Sequence, residues 1–225
     1  MSIHHLLAIV LFAPALALAA PGEGELERWL ESDDPLPPSV STAHVNEGEL
    51  RVLASPPPRP VHHHHQRLTL VSASLGDGWV RMAQCHENLD RVPATQIVFR
   101  KGRVRELRVT RAERVGRAWV EGESVQLENV ERGARVCLEG WTRALTALPD
   151  GRYRIVSGPY MRRFLDGYYP MRVTFVLEHP GLRVESVSPP RQPGLEVRRE
   201  SGRLSMDVWF EGRLELDIVL RRPSP

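Results

Sequence analysis

Between residues 171 and 220 apolar side chains recur at every second position. Met171, Val173, Phe175 and Leu177 form one row, Leu204, Met206, Val208 and Phe210 a second, and Leu214, Leu216, Ile218 and Leu220 a third. In an extended chain alternate side chains point to opposite faces, so each row lines one face of a strand. One apolar face and one polar face indicate antiparallel sheet packed on a core from one side. A helix cannot use this pattern, because its period is 3.6 residues.

The rest of the chain after residue 66 carries the same signature in shorter pieces. Strands are predicted near 66–71, 79–85, 96–100, 103–110, 117–121, 124–130, 134–139 and 151–157, with Gly76-Asp77-Gly78, Gly116, Gly122 and Gly133 as punctuation. Lys101-Gly102 is predicted to close a hairpin between its two flanking strands. Glu211-Gly212-Arg213 is predicted to turn between two facing strands. The expected fold class is therefore all-β, built from antiparallel β-sandwich or barrel-like units.

Two such units are expected, at 61–157 and 171–225. Between them, Pro159 suits the first turn of a helix and Gly167 its end. Tyr160 with Phe164 and Met161 with Leu165 are i, i+4 pairs, so 158–170 is predicted as a short helical linker.

Residues 1–19 read as a cleaved signal peptide. The run from Leu6 to Leu18 is too short to span a bilayer comfortably, and Ala17-Leu18-Ala19 fits an A-x-A cleavage pattern. The segment before that run has His4 and His5 but no Lys or Arg. Residues 20–60 are expected to hold a short amphipathic helix at 24–31, from Leu26, Trp29 and Leu30, and then a Pro-rich tether containing one short strand near 49–54. No later stretch is long and apolar enough to cross a membrane.

Lys and Arg number 30 against 28 Asp and Glu, a formal charge of +2, which gives no basis for a nucleic-acid partner. The two cysteines, Cys85 and Cys137, in an exported chain predict one disulfide. Cys137 falls on the opposite strand face from Ala134, Val136 and Leu138, so the bridge is expected on the outer face or between a sheet and a loop.

Three segments carry chemistry-bearing side chains. In VHHHHQRLTL, His62, His63, His64 and His65 are consecutive. Alternation allows His62 and His64, or His63 and His65, to converge on one ion, and imidazole suits copper and zinc. His44, His86, a reduced Cys85 or Glu87 would have to complete such a site. The competing reading is a solvated loop or strand entry. In QCHENLD, Cys85 and His86 lack the local signatures of cysteine enzymes, and a disulfide removes the nucleophile. In GPYMRRFLDGYYP, Tyr160, Arg162, Arg163, Tyr168 and Tyr169 are the residue types of binding hot spots.

No P-loop, dinucleotide Gly motif, HExxH, G-x-S-x-G or EF-hand pattern is present, and no catalytic residue is assigned. The sequence is therefore read first as a secreted or periplasmic non-enzymatic binding or scaffold protein. Its expected partner is a protein or an envelope polymer, through Tyr160, Arg162, Arg163, Tyr168 and Tyr169, with no cofactor. The alternative is an extracytoplasmic metal-binding or metal-delivery protein that holds copper or zinc with His62 to His65 and His86.

Overall fold

A computed structural model describes residue 46, residues 48–164 and residues 167–223. The expected leader, the helix at 24–31, His44 and Leu165 lie outside the described residues, as does the packing of the Phe164 side chain.

The described residues are almost entirely β. A nine-stranded mixed sheet is built on β2 (His63–Thr69), β3 (Trp79–Leu89), β11 (Met171–Glu178) and β14 (Arg203–Glu211). β6 (Ser124–Arg143), β4 (Val92–Val98) and β5 (Val104–Glu121) extend it on one side. β1 (Arg51–Val52) and β13 (Leu195–Glu200) complete it on the other. A four-stranded antiparallel sheet follows the order β12 (Arg183–Ser188), β15 (Leu214–Arg221), β8 (Arg152–Tyr160), β7 (Leu145–Ala147). The one helix among the described residues is the single turn α1 (Ser74–Asp77).

The alternation at 171–220 has the predicted consequence. Its apolar rows join Leu68, Leu70, Val80 and Met82 from the large sheet and Tyr153 and Ile155 from the small one in a single core. Phe175, Phe210, Leu204 and Ile218 are fully buried there. A second, smaller core of Val125, Leu127, Val130, Ala134, Val136 and Leu138 lies along the β4–β6–β5 arm.

Three local expectations differ. First, the described residues of 158–170 are extended rather than helical. β8 runs through Tyr160, and β9 (Arg162–Phe164) pairs with β10 (Gly167–Tyr169). Ladder hydrogen bonds from β8 to β15 outweigh the i, i+4 spacing, with Ser157 opposite Leu216 and Tyr160 opposite Leu214. Gly158 fits the bulge between those pairs: its φ is +110°, and a Cβ there would lie 2.7 Å from the Leu214 carbonyl oxygen. Strands from both sides of this segment share the large sheet, β2 lying parallel to β11.

Second, Lys101-Gly102 closes a tight turn, Arg103 N–H donating to the Arg100 carbonyl at 3.0 Å. Its flanking strands, however, each pair with β6 and not with one another. Third, Glu211-Gly212-Arg213 is a corner, because β14 lies in the large sheet and β15 in the small one. Apolar alternation fixes which face a strand buries. It does not say which strand lies alongside.

Candidate functional site: two histidine groups on one central strand

Three of the four histidines lie in a strand, and His62 immediately precedes it. His63–Thr69 is β2, an interior strand bonded to β3 on one edge and β11 on the other. Hydropathy could not show this, because both faces of β2 are polar at its start and only Leu68 carries an apolar signal within it. The solvated-loop reading is corrected accordingly: His63 and His64 are both buried.

Alternation along β2 divides the run. His62 and His64 face the four-stranded sheet, beside His86 and Gln84 of β3. His63 and His65 face outward, beside Glu87 and Cys85 of the same strand.

On the inner side the imidazoles form a buried polar cluster. His62 Nε2 lies 3.1 Å from His86 Nδ1, and the His64 and His86 ring centroids are 4.4 Å apart. Gln84 Nε2 is 3.2 Å from His86 Nε2. With that amide donating, His86 carries its proton on Nδ1 and donates it to His62 Nε2. Tyr160 stands edge-on to His64 at 5.0 Å between centroids, and its hydroxyl donates to Gln66 Oε1 at 2.7 Å and meets Ser157 Oγ at 2.7 Å. His64 Nε2 is buried with no hydrogen-bond partner.

These groups line one end of a cavity of about 700 Å³ whose other walls include Leu68, Met82, Phe99 and Met171. Burial holds His86 down at about 3, with a further contribution from His62. It holds His62 at about 4, where Arg162 adds to the effect and Asp90 opposes it. His64 is lowered well below its ordinary value by burial and then by His86. Burial also pushes the Tyr160 phenol up. The inner histidines are therefore neutral at physiological pH.

On the outer side the arrangement differs. One ligand atom each from His63, His65 and Glu87 lies within 4.8 Å of the other two, the one such group among the described residues. His65 Nε2 is 3.3 Å and His63 Nδ1 3.9 Å from Glu87 Oε2. The two rings face one another with centroids 3.6 Å apart.

Both partners of the carboxylate are held in place. Arg135 donates to Glu87 Oε1 at 3.0 Å. His63 Nε2 meets Thr174 Oγ1 at 2.8 Å, and that hydroxyl donates to Asp207 Oδ1 at 3.3 Å. Asp207 is in turn fixed by Arg172, whose guanidinium lies over the Trp209 ring at 4.2 Å. Because Thr174 gives its proton to Asp207, it must accept from His63 Nε2–H. The free lone pair of His63 is then on Nδ1, the atom that faces Glu87. Burial, then His65 and Arg172, lower His63 to about 3, so this imidazole too is neutral at physiological pH. A lone pair and a carboxylate oxygen at 3.9 Å are two acceptors facing each other. A cation between them would satisfy both, and an imidazole tied through its other nitrogen is the usual outer support of a metal-ligating histidine.

Cys85 and Cys137 form a disulfide between directly opposed positions of β3 and β6. It lies on the outer face, one of the two placements its strand parity left open. Cys85 is also directly opposite His65 on β2. Bridged sulfurs cannot act as a nucleophile or a ligand.

The segment expected to contact a partner is only partly at the surface. Tyr160 is buried and bonded to Gln66, so it is not a surface contact; its ring completes the inner cluster. Arg162 is half-buried, pairs with Asp90 at 2.8 Å and lies 5.6 Å from the Tyr169 ring. Arg163 is exposed and lies 5.6 Å from the Tyr168 ring. Sequence reasoning named Glu87 and His86 beside Cys85, because all three are local. Thr174, Asp207 and Arg135 were not legible, since they reach the site only through the pairing of β2 with β11 and of β3 with β6.

No family model matches the sequence, and no curated protein matches it. Among solved structures, an M1 zinc metallopeptidase mutant from Deinococcus radiodurans aligns with 79% of this chain and 43% of its own, at 15% identity and a TM-score of 0.40. A two-domain M1 zinc metallopeptidase mutant bound to L-tryptophan aligns with 80% of this chain and 45% of its own, at 13% identity and a TM-score of 0.37. The chain thus spans less than half the length of either. Likeness at this level carries no inference about the chemistry of this chain. No helix among the described residues is long and apolar enough to cross a membrane.

Proposed function

We propose that the protein is an extracytoplasmic metal-binding or metal-delivery protein that takes a copper or zinc ion at His63, His65 and Glu87. The observation that carries this reading is the outward-facing lone pair of His63 Nδ1, opposed to the Glu87 carboxylate and fixed by the Thr174–Asp207 relay. A nitrogen–nitrogen–oxygen set is within the range that zinc and copper accept. Three protein ligands leave a fourth position open, and the side chain of His65 is 40% exposed, so the ion would remain exchangeable. The apolar leader and the disulfide support an extracytoplasmic setting.

Calorimetric titration of chelator-treated, disulfide-intact protein with Zn²⁺ and Cu²⁺ tests the proposal. One ion per chain is expected, with affinity reduced at least tenfold in His63→Ala and Glu87→Gln. Equal affinity in wild type and both variants would remove the site.

A second reading, a non-enzymatic binding or scaffold protein for an envelope component, is favoured by the β9–β10 hairpin. There Arg163 is exposed beside Tyr168. Under that reading Arg163→Ala would weaken capture of a defined envelope polymer without changing thermal stability, while His63→Ala would leave capture intact.

A further inference from the structure

The disulfide lies in the same two rows of outward side chains as the proposed ligands. Across the sheet, His65 on β2 is opposite Cys85 on β3, and Cys85 is opposite Cys137 on β6. One residue row further along, Glu87 is two positions from Cys85 on the same face, and Arg135 is two positions from Cys137. Directly opposed residues on adjacent antiparallel strands hold their Cβ atoms about 4.5–5.5 Å apart. His65, Cys85, Arg135, Cys137 and Glu139 line one shallow outer pocket. The sulfurs are therefore neighbours of His65 through backbone pairing, independently of the bond between them. That pairing continues from Trp79 opposite Arg143 to His86 opposite Val136.

From this we infer that the Cys85–Cys137 disulfide masks two further ligands, and that its reduction converts the open His63–His65–Glu87 site into a four-ligand Cys85–Cys137–His65–Glu87 site for a thiophilic ion. The inference deepens the metal-binding proposal and rests on it for the role of His65 and Glu87. A small dithiol reductant gives two electrons and two protons to the S–S bond, forming two protein thiols and becoming a disulfide itself. An incoming divalent ion then displaces the two thiol protons and binds two thiolates. His63 keeps its bond to Thr174 and leaves the ligand set.

The surroundings favour the reduced, metal-bound form. Arg135 lines the same pocket, so a guanidinium lies near the developing thiolates. Two sulfurs, one imidazole and one carboxylate complete a tetrahedron, the geometry of closed zinc sites. The disulfide form would bind zinc or Cu²⁺ loosely through nitrogen and oxygen, whereas the dithiol form would select Zn²⁺ or Cu⁺. A reductant would thus load the protein, and oxidation of the thiols would release the ion.

Co²⁺, whose thiolate complexes absorb strongly in the near ultraviolet, is the probe. The full chain is titrated anaerobically in disulfide form and after reduction with a phosphine that is then removed, with far-ultraviolet circular dichroism recorded on each. The inference expects retained β signal, a thiolate-to-cobalt band only in the reduced protein, and affinity at least tenfold tighter than in the disulfide form. His65→Ala should weaken the reduced complex at least tenfold, and Cys85→Ser/Cys137→Ser should abolish the band. Reduced protein that shows no such band, binds no more tightly, or loses its β signal overturns the inference. The failures are distinguishable. Metal binding by the disulfide form that needs His63, without a thiolate band after reduction, sinks the inference and leaves the outer site standing. A thiolate band after reduction, with no binding to the disulfide form, removes the open site and keeps the masked one.

Discussion

The inner histidine cluster predicts a steep loss of stability in mild acid. His64 and His86 are buried and His62 is half-buried; the three are hydrogen-bonded or stacked on one another and held neutral in the fold. Their ordinary pKa in an unfolded chain is 6.5. A histidine lowered by folding costs nothing above that value and destabilises as pH falls below it, because the unfolded chain takes up protons that the fold refuses. With His62 near 4 and His86 near 3, the loss runs from about pH 6.5 down to the folded values. Each pH unit in that window costs about 1.4 kcal/mol per histidine. At pH 5 each contributes about 2 kcal/mol, and the three together about 5–6 kcal/mol relative to pH 7. That approaches the whole stability of an ordinary domain. His63, lowered to about 3 by burial first, adds to this loss from the outer face and is not counted in the sum for the inner cluster.

The assay is urea unfolding followed by tryptophan fluorescence at pH 7, 6 and 5, with a chelator present so that no ion occupies the outer site. Carboxylates of ordinary pKa remain ionised across this range, so the slope reports histidines. Replacing His62, His64 and His86 together by Gln should flatten the profile. A wild-type loss below about 2 kcal/mol between pH 7 and 5, the contribution of one histidine, would show that the cluster does not stay neutral and would refute the reasoning.

Two further outcomes follow from named contacts. Tyr160→Phe removes the hydroxyl that donates to Gln66 Oε1 and accepts from Ser157, leaving a half-buried acceptor and a buried donor unpaired, and should cost about 1–3 kcal/mol in urea unfolding; a neutral result would mean the phenol is solvated. Thr174→Val cuts the relay between His63 and Asp207 and should weaken Zn²⁺ binding about 10–100-fold in calorimetry, while the metal-free protein loses about 1–3 kcal/mol as His63 Nε2–H is left unpaired; unchanged affinity would show that the tautomer of His63 is not set there.

The β class was legible because Met171 to Leu177 and Leu204 to Leu220 alternate without interruption, and each such row has its apolar side in the core. Cys85 and Cys137 were legible as a pair, and Cys137's parity left an outer-face or a sheet-to-loop bridge, of which the cross-strand one on the outer face is found. Alternation also divided the histidines into His62 with His64 and His63 with His65 before any pairing was known. What the sequence does not carry is which strands are neighbours. The parallel placement of β2 beside β11 brings Thr174 within reach of a histidine 111 positions earlier, and no local pattern encodes that. For the same reason 158–170 looked helical: the i, i+4 aromatic spacing is local, whereas the ladder to β15 that overrides it is not. The burial of His64 was hidden because hydropathy scores a histidine as polar wherever it sits.

Crystals of the disulfide-intact protein grown with equimolar Zn²⁺, with diffraction collected on both sides of the zinc absorption edge, test the central proposal most directly. One anomalous peak per chain is expected, about 2.0–2.2 Å from His63 Nδ1, an imidazole nitrogen of His65 and an oxygen of Glu87, with a fourth position filled by solvent. A peak among His62, His64 and His86 instead, or none within bonding distance of His63 and Glu87, would contradict it.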